Sequence, residues 1–186
     1  MTEQTTDEGE PGAEDDPGRA VEQAVARALD LAATWTGWDG TPIVTEDGER
    51  IYTPHKVIRR IADHLIDHLA EIEAVLAGRP TQPDAWGASA VTLPADLAHF
   101  TDADLQEARE RLTRLARTMR LRLLAAGPAE WDRPREGWTL RAIAEHLSDA
   151  WYAEQLGDLS GSGVRRGEPS LVSDLVQAPA APSQTG

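Results

Sequence analysis

The chain of 186 residues contains no cysteine. Disulfide bonds, thiolate metal ligands and a cysteine nucleophile are therefore excluded. The absence of cysteine fits a protein of a reducing compartment, and we expect a cytoplasmic location.

Long apolar runs are also missing from the sequence. No segment reaches the roughly 20 consecutive apolar residues that a bilayer-spanning helix needs. The first residues lack the basic start and apolar stretch that are typical of a signal peptide. We therefore expect a protein that has no membrane partner.

Basic residues are scarce. The sequence contains 18 Lys and Arg and 32 Asp and Glu, so its formal net charge at pH 7 is −14. An acidic surface repels phosphate backbones, so nucleic acid is not an expected partner.

The first eighteen residues contain seven acidic and no basic side chains. We predict disordered tails over residues 1–18 and 160–186, because neither has the apolar content to form a core.

Four segments between these tails show the apolar spacing of amphipathic helices. They cover residues 19–36, 54–77, 101–126 and 139–159, and no segment has a convincing strand pattern. The sequence therefore predicts one all-α domain over residues 19–159, a four-helix bundle. The connection 79–100 is long for a loop, so we expect it to pack across the helices or to cover a cavity, with Trp86 at its mouth.

Two histidines stand four residues apart in the second predicted helix, within the stretch IADHLIDHL. His64 and His68 are about 40° apart around the helix and about 6 Å apart along it, so both rings can reach one metal ion. They lie at the edge of the apolar stripe, where side chains point between helices. A pair of half-buried, hydrogen-bonded histidines is the alternative interpretation, and the zinc-protease pattern H-E-x-x-H is absent.

His146 in the fourth predicted helix offers a third ligand, because it lies at the edge of that helix's apolar stripe. Three neutral imidazoles leave a coordination position open, as in catalytic zinc sites. Zinc is the first choice, with nickel or iron as alternatives. His55 is about 13 Å from His64 along the helix and is treated as a bystander. His99 is treated likewise, with an additional ligand or acid–base role kept open.

Two stretches resemble the motif helices of the DinB/YfiT-like superfamily of metal-binding four-helix bundles. Residues 64–73, HLIDHLAEIE, are similar to its H-x-x-x-H-x-x-Q/E helix, with Glu71 at the last motif position. Residues 131–152, WDRPREGWTLRAIAEHLSDAWY, are similar to its helix that begins with Trp-Ser or Trp-Thr and carries a later histidine. Trp138 and His146 occupy those two motif positions.

The sequence departs from the superfamily's pattern in three places. Ala70 replaces the usual glycine before the Gln or Glu, and Ala142 replaces an acid often found three residues after the Trp-Ser pair. The histidine-pair helix usually comes last, whereas here it precedes the tryptophan-led helix. The resemblance therefore implies a circularly permuted or divergent relative with an intact ligand set of His64, His68 and His146.

Known members of the superfamily include mycothiol-dependent maleylpyruvate isomerase and bacillithiol S-transferases. The resemblance implies a divalent metal ion, a low-molecular-weight thiol as cosubstrate, and S-transfer or isomerisation of a small molecule. Hydrolysis by activated water is a further option at such a site. The alternative is a non-catalytic bundle whose metal is structural or vestigial and which acts in dimerisation or ligand binding, so a homodimer remains open.

Side chains near the three histidines carry further expectations. Glu71 is the candidate catalytic residue, and it could orient an imidazole, bind the ion or act as a general base. A solvated surface glutamate is the alternative. Trp138 and Trp151 are expected in the core or at helix ends, and Asp149 is expected in solvent.

Overall fold

The computed structural model describes residues 15–45, 48, 50–81 and 91–161. This part of the chain is mostly helical, as the all-α prediction requires. None of its helices combines the length and the apolar composition needed to cross a membrane. The two predicted tails and Trp86 lie largely or wholly outside the described residues, so the division into tails and domain stays a prediction.

Helices form most of the described structure. The three long ones are α1 (Pro17–Ala32), α2 (Pro54–Leu76) and α3 (Asp102–Ala126). The three short ones are α4 (Pro128–Trp131), α5 (Leu140–His146) and α6 (Trp151–Leu156). Single 3-10 turns cover Trp35–Gly37 and Pro94–Leu97. An antiparallel pair, β1 (Ile43–Val44) and β2 (Ile51–Tyr52), was not predicted, because strands of two residues are too short to show a period.

The starts of α2 and α3 follow from local capping. The Thr53 hydroxyl accepts a hydrogen bond from the Lys56 backbone N–H, and Pro54 occupies the first helical position. At α3, Thr101 and Asp104 cap each other's backbone N–H groups. Both predicted helix starts are therefore confirmed to within one residue.

The prediction of one continuous helix over residues 139–159 is wrong. The chain leaves helical geometry after His146, and α6 begins only at Trp151. Two side chains compete with the backbone here: the Ser148 hydroxyl donates to the Glu145 carbonyl at 2.7 Å, and the Asp149 carboxylate accepts from the Trp151 N–H at 2.5 Å. The Ser148 carbonyl accepts a hydrogen bond from Arg27 of α1 at 2.8 Å, which fixes the break.

The helices enclose one apolar core. α1 packs mainly along α3 and also contacts α5 and α6, while α2 packs against α3 and α6. The apolar stripes expected from the sequence supply much of this core, including Val21, Val25, Ala28, Ile61, Leu65, Ile72, Leu112, Met119, Leu140 and Ile143. The core therefore places one face of α2 close to the chain that links α5 to α6.

The start of α1 lies very close to α3. Asp16 caps α1 by accepting from the Gly18 N–H at 3.0 Å, and its other oxygen accepts from Arg120 at 2.6 Å. A Cβ atom at Gly18 would stand 2.6 Å from the Cα of Arg120. Real atoms do not approach so closely, so α1 and α3 would have to separate to admit any larger residue.

We expect Gly18→Ala to destabilise the protein by roughly 1–3 kcal/mol, because the added methyl group overpacks the contact between α1 and α3. Helix propensity alone would favour alanine there. Gly37→Ala is the control, since a Cβ at Gly37 meets no atom within 4 Å. Urea unfolding measures both variants, and equal stability of the two would contradict the close approach.

Residues 91–100 lie against the first half of α2, as expected for part of the long connection. Asp96 is buried and forms a two-point ion pair with Arg59, with distances of 2.7 and 3.2 Å. Its carbonyl accepts from the Thr53 hydroxyl at 2.6 Å. These bonds hold residues 91–100 against the N-terminal half of α2. Gly78 follows the other end of that helix.

Lys56 is the only lysine in the sequence, and its side chain is buried. The ammonium donates to the Thr92 hydroxyl at 2.8 Å and lies 5.9 Å from the centre of the Tyr52 ring. Burial, and then the positive charge of Arg60, lower the pKa of Lys56 from 10.5 to about 8.

The lowered pKa of Lys56 predicts a stability that rises with pH. Between a pH of about 8 and 10.5, the unfolded chain keeps a proton on this amine that the folded chain loses. Wild-type protein should therefore gain stability relative to Lys56→Met as the pH rises through that window. Urea midpoints of both proteins at several pH values measure this difference, and parallel curves would show that the folded pKa is not lowered.

Candidate metal centre

α2 carries two of the three predicted ligands towards the α5–α6 segment. His64 is half-buried and His68 is buried with 2 % of its surface exposed. Their ring centres are 4.8 Å apart, as the spacing of four residues predicts. Both rings therefore face the same neighbouring segment.

The third imidazole comes from the last residue of α5. Nε2 of His146 is 2.9 Å from Nε2 of His64, and the ring centre of His146 is 5.1 Å from that of His68. The chain turns away immediately afterwards, so the exposed ring of His146 lies over the pair on α2. The structure therefore brings all three predicted metal ligands together.

The geometry of these nitrogens fits a single metal ion. One ring nitrogen from each histidine lies within 4.8 Å of the other two. Two ligands of a tetrahedral zinc ion, each about 2.0–2.1 Å from it, are about 3.4 Å apart. The 2.9 Å between the nitrogens of His64 and His146 and the 4.8 Å limit for the whole group lie on either side of that spacing. An all-imidazole donor set suits zinc, nickel, copper and iron, so the donors alone leave the metal open.

Near neutral pH, protons compete only weakly with a metal ion for the His64 ring nitrogen. Burial is the largest cause that lowers the pKa of His64, followed by repulsion from His68, His146 and Arg60, and together they bring it to about 3. A metal ion needs the neutral form of an imidazole ligand. His64 is therefore already in its ligand form at neutral pH.

Glu71 contacts a ligand ring. Its Oε2 is 2.7 Å from Nδ1 of His68. An ionised carboxylate only accepts hydrogen bonds, so Nδ1 carries the proton and Nε2 of His68 becomes the ligand atom. Carboxylates commonly orient metal-binding histidines in this way. Of the three expected roles for Glu71, orientation of an imidazole fits this contact, while a role as general base stays a prediction.

Trp138 lies at a helix end, one of its two expected places, and its ring covers the candidate metal centre. Its ring is stacked on His68 with centres 6.0 Å apart and meets His146 edge-on at 4.8 Å. The indole is 46 % exposed. Thr139 caps α5 directly after it. The tryptophan thus shields the ligand rings on the solvent side.

Two further side chains beside the centre were missed by sequence analysis. The Tyr152 ring lies 5.6 Å from the ring of His64, and the Arg60 guanidinium lies 4.8 Å above the Tyr152 ring. Arg60 precedes His64 by four residues, so the helical period could have indicated it. Tyr152 would point about 120° away from His146 on an unbroken helix, so only the break explains its position.

A cleft of about 230 Å³ opens beside His64 and His146. Its walls come from α1, α2 and the α5–α6 segment, and most of them are apolar. The residues that line it are Ala24, Val25, Ala28, Ile61, His64, Leu65, His146, Leu147, Asp149, Ala150, Trp151 and Tyr152. Trp151 is 39 % exposed and lines this cleft from the first position of α6, so it lies at a helix end, one of its two expected places. Asp149 is exposed, as expected, but it also borders the cleft.

The other two histidines lie elsewhere. The His55 ring is 5.2 Å from that of Phe100 and 3.9 Å from the Asp104 carboxylate. The His99 side chain is exposed, and its carbonyl lies 3.4 Å from Nε2 of His55. Within the described residues, the group that could hold a metal ion, His64, His68 and His146, includes neither of them.

No family model, curated protein or solved structure matches the chain. The resemblance to the DinB/YfiT-like superfamily therefore rests on the two motif stretches alone. It stays a prediction, whereas the convergence of the three histidines is a property of the structure.

We expect Glu71→Gln to weaken metal binding by about tenfold, because the amide is a poorer acceptor for the Nδ1 proton of His68. Glu145→Gln is the matched control, since Glu145 is exposed and, in the described part of the chain, bonds to no imidazole through its carboxylate. Competition with a chromogenic zinc chelator measures both affinities. Equal affinities of the two variants would remove Glu71 from the centre.

Proposed function

We propose that the protein binds a divalent metal ion through His64, His68 and His146 and acts on a small molecule as a thiol-dependent S-transferase or isomerase. The convergence of three imidazoles beside an open cleft is the observation that carries this proposal. In the proposed fold, α1, α2, α3 and the broken pair α5–α6 form a four-helix bundle. The bundle would be DinB-like with its motif helices in permuted order.

Zinc is our first choice for the metal, with nickel or iron as alternatives. A bound divalent ion supplies Lewis-acid chemistry and lowers the pKa of a coordinated thiol or water. The three histidines are the proposed ligands, and Glu71 is the proposed positioning residue for His68. Trp138 would limit the access of water to the ligand rings from the solvent side.

The residues around the cleft support a small-molecule substrate. The chain contains no cysteine, so a sulfur nucleophile would have to enter with a low-molecular-weight thiol as cosubstrate. Tyr152 is the proposed proton carrier at the cleft: Arg60 donates a hydrogen bond to its oxygen at 3.4 Å, which leaves the hydroxyl proton available.

The acidic net charge supports the expectation that nucleic acid is not a partner.

A non-catalytic, structural metal site remains the competing function. Structural zinc sites are closed by four protein ligands. Glu71 and His99 were the candidates for a fourth ligand, but Glu71 contacts the outer nitrogen of His68 and His99 lies near His55. Three ligands beside a cleft therefore support the enzyme over the structural site.

Elemental analysis of protein purified without a histidine tag or chelator tests the metal proposal. We expect about one transition-metal ion per chain in the wild type and little or none in His146→Ala, which lacks one of three ligands. His99→Ala is the control and should keep its metal. Equal metal content in His146→Ala and wild type would remove His146 from the site.

A thiol-conjugation assay with a panel of electrophiles tests the proposed reaction. Metal-loaded wild type should accelerate consumption of at least one electrophile by a small thiol, and His146→Ala should not. A wild type that holds its metal but accelerates none of these reactions would favour the non-catalytic alternative.

A further inference from the structure

The cleft beside His64 and His146 has a chemistry of its own. Its deep wall is built from small and branched apolar side chains of α1 and α2, such as Ala28 and Leu65. Three of its polar side chains lie close together, because the ring centre of His64 is 4.8 Å from that of His146 and 5.6 Å from that of Tyr152. A ligand in this cleft would therefore have a polar end at the imidazoles and an apolar end against α1.

The size of the cleft limits the apolar end. A cavity of about 150 Å³ lined by apolar side chains holds one benzene molecule. The volume of about 230 Å³ here is larger by about half, so it suits a group of roughly six to ten non-hydrogen atoms. A substituted phenyl ring or a branched aliphatic chain has this size.

The charges around the cleft act against anionic ligands. No lysine or arginine is among the described residues that line it, and the one charged side chain there is the carboxylate of Asp149. Arg60 faces the Tyr152 ring from outside this lining. A carboxylate on the ligand's apolar end would have to lose its hydration without gaining a cationic partner.

We propose that the cleft binds an uncharged, largely apolar group of six to ten non-hydrogen atoms, whose polar end faces His64 and His146, and that Asp149 disfavours a carboxylate on that group. The inference rests on the proposed metal site, because the polar end is the part that would meet the metal. It assigns the apolar wall of α1 and α2 to substrate selection.

Three imidazole derivatives test this inference by calorimetric titration of zinc-loaded and zinc-free protein. Imidazole supplies the polar end alone, 4-phenylimidazole adds an uncharged phenyl ring, and imidazole-4-acetate adds a carboxylate. We expect 4-phenylimidazole to bind at least tenfold more tightly than imidazole, since the phenyl ring leaves water for the apolar wall. Imidazole-4-acetate should bind no more tightly than imidazole to the zinc-free protein, in which no metal ion can bind its carboxylate.

Substitutions that fill the cleft test whether its apolar wall causes the tighter binding of 4-phenylimidazole. Ala28→Leu should reduce the advantage of the phenyl ring to less than threefold while zinc content and imidazole affinity stay unchanged. Leu147→Phe fills the cleft from the opposite side and gives a second test if Ala28→Leu does not fold. A full phenyl advantage in a folded, filled variant would overturn the proposal.

Asp149→Asn tests the charge argument, because asparagine keeps an acceptor for the Trp151 N–H. We expect imidazole-4-acetate to bind at least threefold more tightly to this variant, and 4-phenylimidazole to change by less than twofold. Unchanged affinity for imidazole-4-acetate would remove Asp149 from ligand selection.

The experiments distinguish a failure of the proposed metal site from a failure of the proposed ligand preference of the cleft. A wild type that takes up no zinc would overturn the proposed metal function, whereas the phenyl advantage is still measured in the zinc-free titration. Absence of that advantage in both forms would overturn the cleft assignment, whatever the metal result. Its presence in either form supports the assignment.

Discussion

The break between α5 and α6, which directly follows His146, shapes the surroundings of the three histidines. α5 ends at His146, so this ring lies at a helix end and reaches across to His64. The same break brings Tyr152 beside His64 and forms one wall of the cleft. Arg27 of α1 fixes the break through the Ser148 carbonyl, which connects the metal centre to the packing of α1.

Burial gives the centre its chemical character. It keeps the His64 ring neutral because the charged form would lose its hydration, and repulsion from the two neighbouring imidazoles and Arg60 acts in the same direction. The Glu71 carboxylate in turn sets the proton of His68 on the outer nitrogen. Both effects leave imidazole nitrogens in the form that a metal ion requires of its ligands.

Local signals in the sequence account for the parts that were predicted correctly. Capping by Thr53 and Thr101 is a short-range interaction, so the starts of α2 and α3 could be read directly. The pairing of His64 with His68 follows from the helical period alone. His146 was predicted as the third ligand because it lies at the edge of an apolar stripe. The break follows His146, so it leaves that position unchanged.

Long-range contacts account for the parts that were predicted wrongly. The sequence around Ser148 and Asp149 contains groups that compete with a helix, but the sequence does not show that Arg27, 121 residues earlier, bonds to the Ser148 carbonyl at the break. Trp138 lies at a helix end, one of its two expected places, but its stacking on the His68 ring could not be read from the sequence. Arg60 and Tyr152 were missed because they meet only in the folded chain.

X-ray absorption at the zinc edge of the zinc-loaded protein tests the central claim most directly, because it counts the imidazole ligands and measures their distances. Convergence of the three histidines predicts three imidazole nitrogens at about 2.0–2.1 Å and at least one further light-atom ligand. The spectrum of His146→Ala should contain one imidazole fewer. A wild-type spectrum with two or fewer imidazoles, or an unchanged spectrum in His146→Ala, would contradict the account.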